Sequence, residues 1–227
     1  GGQSPLSGEP EVGACVTPIA SVGPNATMHG LRFDPDRKTQ LIRSGDSTNT
    51  FTFSVWFKYD GNATTYTSIF ASAGSSNIVP LGYTGTDFYV YDGGTVINFG
   101  HTPQANVWQH IVVAVNDKSV ACYVNGVKKE VTTNTTIAIE GASVGFNAST
   151  NQEFAGGYLS DCYMVQGLAL PATAFGESIE GKWAPKQDIS ISDYGTNGFH
   201  LPFDPEATGE NYSAGTVTGT PSLGGNW

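Results

Sequence analysis

The chain has 227 residues, with 10 Lys and Arg against 20 Asp and Glu, a net charge of −10, and only 13% charged residues. No basic cluster exceeds a pair such as Lys128-Lys129, so the chain lacks the positive footprint that phosphate binding demands, and no nucleic-acid partner is expected. No apolar run reaches the roughly 18 residues of a membrane-crossing helix, so no membrane insertion is expected, and three cysteines do not make a disulfide framework.

Residues 1–26 are rich in Gly, Pro and Ser without periodicity and read as an arm or linker. Arms of this kind order when they dock on a partner. A sandwich domain is expected over 27–190, and a C-terminal segment over 191–227 that packs on the sandwich and then runs out as a tail. "GLRFDPDRKTQLIRSG" reads as two short strands joined by a turn. "FTFSVWFKYDG" is the clearest strand. Phe51, Phe53, Val55 and Phe57 share one face, Thr52, Ser54, Trp56 and Lys58 the other.

"TSIFASAG" and "DFYVYDGG" follow as strands, the second with Tyr89 and Tyr91 alternating with Phe88 and Val90. "VWQHIVVAVN" and "VACYVNGVKKEV" form a meander, because Asn125-Gly126 between apolar runs is a strong hairpin signal. "TTIAIEG" and "SVGFN" are expected to be two short strands, and "GGYLSDCYMVQG" closes the core. In that last strand Leu159 and Cys162 have opposite parity, so either a bulge or burial on both faces is required. A bridge between Cys122 and Cys162 is left open. N-x-S/T triplets begin at Asn25, Asn62, Asn134, Asn147 and Asn211; roughly two to three would arise by chance with this much Ser and Thr, so they are weak evidence for glycosylation. No stretch sustains helical periodicity. The expected fold is all-β, a two-sheet antiparallel jelly-roll sandwich.

The ordered pieces "FTFSVWFK", "WQHIVVAVN", "VACYVNGVKK" and "FAGGYLSDCYMVQGLAL" resemble the concanavalin A-like, laminin-G-like jelly-roll superfamily. "GYLSDCYMVQGLALPATAFGE", "GKWAPK" and "DYGTNGFHLPFDP" further resemble a subgroup common in tailed phages of marine origin, over roughly residues 29–205. The subgroup's acidic residue before Gly167 is replaced here by Gln166. The resemblance implies a virion component, such as a capsid decoration, head fibre or tail fibre. Its partners would be other virion proteins, copies of itself (a trimer suits a fibre) and a host surface glycan. In this pattern "LALPATAFGE" is a clasp after the final strand, with Leu168, Leu170 and Phe175 packed on the sandwich.

A retaining glycosidase needs two carboxyl groups about 5 Å apart in one cleft. The E-x-D-x-x-E signature that would place them is absent. No enzyme is therefore expected, and a glycoside hydrolase ranks below a free carbohydrate-binding lectin as the alternative. Cys122 lies mid-strand, where a thiol is inert, and His110 reads as structural. His29, His101 and His200 lack zinc spacing. A calcium at a loop rim, which the resemblance allows, would draw on Asp60, Asn62, Asp87, Asp92, Asn147 and Asp161. Solvated loop residues are the plainer reading, and no cofactor is expected. Sugar binding would use aromatic faces beside hydroxyl-bonding groups. "YTGTDFYVYDGG" offers Tyr83, Asp87, Tyr89, Tyr91 and Asp92 as the candidate ligand-binding set, against the alternative that Tyr89 and Tyr91 cover a sheet face or a subunit interface.

Overall fold

A computed structural model describes residues 29–63 and 65–203, together with the backbone of 216–218. The expected arm over 1–26, Cys15, and the triplets at Asn25 and Asn211 lie outside the described residues. The strands are β1 (Gly30–Phe33), β2 (Gln40–Thr48), β3 (Thr50–Tyr59), β4 (Thr67–Ala71), β5 (Val79–Tyr83), β6 (Phe88–Tyr91), β7 (Val96–Asn98) and β8 (Trp108–Asn116). They continue as β9 (Ser119–Val124), β10 (Val127–Thr132), β11 (Ile139–Val144), β12 (Gly157–Gln166), β13 (Gly176–Ile179), β14 (Lys182–Pro185), β15 (Phe199–Leu201) and β16 (Thr216–Thr218). One turn of 3-10 helix, Ala172–Ala174, is the longest helical piece among the described residues.

The strands form two seven-stranded antiparallel sheets. Sheet I runs β1-β12-β3-β8-β9-β10, with β15 also paired to β12, and sheet II runs β16-β2-β11-β4-β5-β6-β7. The fold is the all-β sandwich that the alternation in β3, β6, β8 and β9 predicts. The core lies between the sheets. Phe51, Phe53, Val55 and Phe57 point inward from β3, joined by Ile111, Val113 and Val115 from β8 and met by Phe70, Leu81, Phe88 and Val90 from sheet II. Phe53 stacks on Phe70 at 4.2 Å between ring centroids, which ties β3 to β4 across the layers. Asn125 and Gly126 both take positive φ, 49° and 79°, as the tight hairpin between β9 and β10 requires.

The parity fault in β12 is a bulge. Ser160 pairs with Trp56 and Tyr163 with Ser54, so three steps on β12 face two on β3. Asp161 supplies the extra step at φ 50°. Leu159, Cys162 and Met164 thereby all reach the core. Burial on the opposite face occurs as well, since Tyr163 and Val165 are covered. On its free edge β12 is shared by β1, paired at 157–160, and β15, paired at 162–164. The bulge sits where these two short partners meet.

Two expectations are corrected, one open question is answered, and further strands appear. "TTIAIEG" and "SVGFN" give a single strand, β11, rather than two. Leu168 is 49% exposed, so the clasp packs through Leu170 and Phe175 without it. The reason is that Thr52 on β3 bonds the backbone on either side of that residue's neighbour: its hydroxyl donates to Leu168 O (2.7 Å) and accepts from Leu170 N–H (2.7 Å). Cys122 and Cys162 are separate, buried thiols, and burial raises the pKa of each. The strands β5, β7, β13, β14 and β15 went unread in the sequence.

Candidate functional site

The outer faces of the two sheets differ. Over sheet I, residues 170–194 lie as a clasp. Phe175 and Ala172 bury against Val112, Tyr163 and Val165, with Leu170, Trp183, Ile189, Ile191 and Tyr194 around them. The buried His110 is the polar anchor. Trp183 Nε1–H donates to His110 Nδ1 (2.9 Å), and His110 Nε2 lies 2.9 Å from Ser54 Oγ. Because Nδ1 accepts, the neutral ring carries its proton on Nε2 and donates to Ser54. Burial depresses the His110 pKa to about 3. This serine–histidine pair is thus sealed and wrongly protonated for nucleophilic work.

Over sheet II no comparable clasp lies among the described residues. Ala71, Val79 and Tyr89 form a small buried cluster flanked by Tyr91 and Val96. The ring of Tyr89 lies over Gly82 on the neighbouring strand, where any added Cβ would collide with it. Tyr66, 43% exposed, meets Tyr89 edge to face at 5.6 Å. Tyr66, Asn77, Tyr89, Tyr91 and Glu153 line a shallow cleft of about 280 Å³.

Glu153 is held from behind. Its Oε2 accepts from Ser68 Oγ–H (2.8 Å) and Asn147 Nδ2–H (3.0 Å). Asn147 also donates to Asn77 Oδ1 (2.8 Å). The other carboxylate oxygen, Oε1, has no hydrogen-bond partner among the described residues. Burial, and then the Glu153 charge, push the Tyr89 hydroxyl pKa up, so it stays protonated and donates to Thr67 O (3.4 Å). The cleft therefore offers aromatic faces, one fixed carboxylate and an amide. Such a set can stack on a pyranose ring and bond its hydroxyls.

The sequence-predicted set divides. Tyr89 and Tyr91 line the cleft. Tyr83 is wholly buried in the core, where its hydroxyl accepts from Gly156 N–H (3.0 Å), so its ring meets no ligand. Asp87 accepts from Gly100 and His101 N–H at 2.8 and 3.1 Å and closes a loop. Asp92 is buried and joins two loops, accepting from Gly94, Thr95, Asn134 and Thr135 N–H. Burial opposes its charge, but the four backbone donors outweigh that and hold its carboxyl below the usual range. Tyr66, Asn77 and Glu153 were missed. Only Tyr66, directly before β4, carries a sequence signal, an aromatic at a strand end, which is common; Asn77 and Glu153 lie in connections and carry none.

Of the oxygen ligands considered for a calcium, Asp60 bonds Asn62 N–H, and Asp161 lies 2.6 Å from His200 Nε2. No three His, Cys, Asp or Glu side chains gather closely enough to hold a metal among the described residues.

A laminin-G family model, described as the concanavalin A-like lectin/glucanases superfamily, matches residues 36–171. The chain belongs to this superfamily. No curated protein matches it by sequence. Among solved structures, this concanavalin A-like chain is similar to a candidate carbohydrate-binding protein from Bacteroides ovatus: 12% identity, TM-score 0.50, 86% of this chain and 60% of the other. It is also similar to the full extracellular region of zebrafish Gpr126/Adgrg6, at 11% identity and TM-score 0.51 over 70% of this chain and 25% of that one. Tailspike protein 2 of Escherichia coli O157:H7 bacteriophage CAB120 aligns at 10% identity and TM-score 0.48 over 61% of this chain and 22% of its own. The chain thus spans less than two thirds of each of these proteins. At such identities the likeness shows the fold alone.

Proposed function

We propose that this concanavalin A-like domain is a non-catalytic adhesion module that holds a glycan in the Tyr66–Tyr91–Glu153 cleft. The observation that carries the reading is the asymmetry of the two outer faces. One is sealed by the clasp with its polar groups paired off, and the other keeps an aromatic cleft with a half-bonded carboxylate. Glu153 is the single carboxylate among the residues lining that cleft. Acid–base cleavage of a glycosidic bond calls for a pair, which favours binding over turnover.

The setting we propose is the surface of a tailed-phage particle, as a capsid decoration, head fibre or tail fibre that contacts other virion proteins and copies of itself. The ordered "GYLSDCYMVQGLALPATAFGE", "GKWAPK" and "DYGTNGFHLPFDP" pieces support it. As far as they are described, these pieces fall on β12 and β15 of sheet I and on the clasp that covers it. That leaves the cleft on sheet II as the face turned to a ligand.

The test uses a glycan array with the isolated protein and its Tyr66→Ala and Tyr91→Ala variants. Retention of a defined glycan set, lost in both variants, is the expected result. Equal retention by all three proteins, or none by the parent, overturns the cleft as a sugar site. Imaging of intact particles with a label on this chain tests the virion setting separately.

A further inference from the structure

The cleft does not end at Glu153. A second hollow of about 510 Å³ adjoins it, lined by Lys38, Tyr66, Asn151, Gln152, Glu153 and Phe154 among others. The two share Tyr66 and Glu153 as a common wall. They are two subsites of one groove, with opposite chemistry at the two ends.

At the first end the polar groups are Glu153 and Asn77, and Glu153 can only accept. At the second end the groups are donors. Lys38 lies 5.9 Å above the ring of Phe154 and has no ion-pair partner among the described residues. Its neighbours Arg32 and Arg37 share the carboxylate of Asp34, at 3.7 and 3.9 Å. Lys38 is the one cation among the residues that line either hollow, in a chain whose net charge is −10. Asn151 and Gln152 add exposed amides with no side-chain bonds among the described residues. They are held in place because the 147–152 loop is closed by two backbone bonds, Asn147 N–H to Gln152 O (3.0 Å) and Gln152 N–H to Asn147 O (3.4 Å).

Resting on the glycan reading of the cleft, we infer that the ligand is an acidic oligosaccharide of at least two sugars. A neutral pyranose lies between Tyr66 and Tyr91, the two cleft tyrosines that reach the surface, with its hydroxyls on Glu153. The next sugar bears a carboxylate that faces Lys38, Asn151 and Gln152. The carboxylate belongs at that end because Glu153 borders both hollows whereas the one cation, Lys38, lines only the second. A fixed ammonium with two amide donors is the complementary arrangement, and its charge-assisted bonds discriminate more than neutral ones.

The experiment is a glycan array carrying uronate- and sialate-containing oligosaccharides beside neutral oligosaccharides of the same length, read with the parent chain, Lys38→Ala and Lys38→Arg. Lys38 is exposed, so its variants keep the fold, which an unchanged thermal midpoint verifies. The parent is expected to retain acidic members over their neutral counterparts. Lys38→Ala should lose roughly tenfold on the acidic members only, and Lys38→Arg should keep the preference. Retention of neutral glycans by the parent with no change in Lys38→Ala overturns this inference and leaves the sugar-binding reading standing. Retention of nothing by the parent overturns both.

Discussion

The outer faces of sheets I and II start from the same material and end differently. Both carry tyrosines and hydroxyl residues on alternate strand positions. On sheet I the clasp turns them into interior: Tyr163 is 5% exposed and packs on Phe175, and Thr52, Ser54 and His110 spend their polar atoms on Leu168, Leu170 and Trp183. On sheet II nothing described lies over Tyr66 and Tyr91, and Glu153 keeps one oxygen unpaired. A face whose polar groups are all satisfied internally serves stability. A face with a rigidly positioned but unsatisfied group is prepared for something from outside.

Four changes break or sharpen that contrast. Phe175→Ala removes the fully buried ring at the centre of the clasp, and is expected to cost about 3–5 kcal/mol in chemical denaturation while leaving the sheet II cleft intact. Acid should act on the same face. His110 titrates near 3 when folded and near 6.5 when unfolded, so the unfolded chain binds the extra proton between those values. This contribution to stability is complete above pH 6.5 and is lost as pH falls toward 3, at up to about 1.4 kcal/mol per pH unit. His110→Gln should be less stable at pH 7 yet show a flatter stability curve from pH 6.5 to 4. A parallel curve for parent and variant would remove His110 as the anchor.

Thr52→Val keeps the shape but deletes the hydroxyl that bridges Leu168 and Leu170. It should cost about 1–2 kcal/mol, with amide exchange accelerated in 168–175 and not around Glu153. The smallest stability effect belongs to Tyr66→Ala, within about 0.5 kcal/mol because the side chain is partly in solvent. It should cost about 1 kcal/mol in affinity for any retained glycan, read by titration calorimetry. If Tyr66→Ala destabilised as much as Phe175→Ala, the two faces would not differ in kind.

The sandwich was legible wherever apolar residues alternate with polar or amphipathic ones, as in β3 and β6, even though the outer positions Thr52, Ser54 and Tyr89 are covered as well. Legibility failed where geometry is irregular or that alternation is missing. β5 reads "VPLGY", with Pro80 and Gly82 in a five-residue strand buried throughout, so neither period nor propensity marks it. The β13–β14 hairpin lies in the clasp and buries only short stretches, Gly176 and Ala184–Pro185 beside Trp183, while Glu177, Ser178, Ile179 and Lys182 are exposed, so no alternation marks it. The cleft was half legible. Tyr89 and Tyr91 announce an aromatic outer face, but Tyr66, Asn77 and Glu153 come from three separate connections, and only the pairing of β4, β5 and β6 brings them together. Tyr83 misled because the bulge in β5, between Val79 and Gly82, turns its ring inward.

Asp161 belongs to the chain but not to the ladder. Without it, Cys162 would fall opposite Val55, both facing the core, and the pairings on either side would remain in step. A one-residue deletion at this point should therefore be absorbed silently by the sheet, whereas the same deletion at Leu159 or Met164 would strip an apolar group from the interior. What such a shortened chain would lose is the carboxylate beside His200, the tether by which the returning C-terminal strand is fastened to its neighbour.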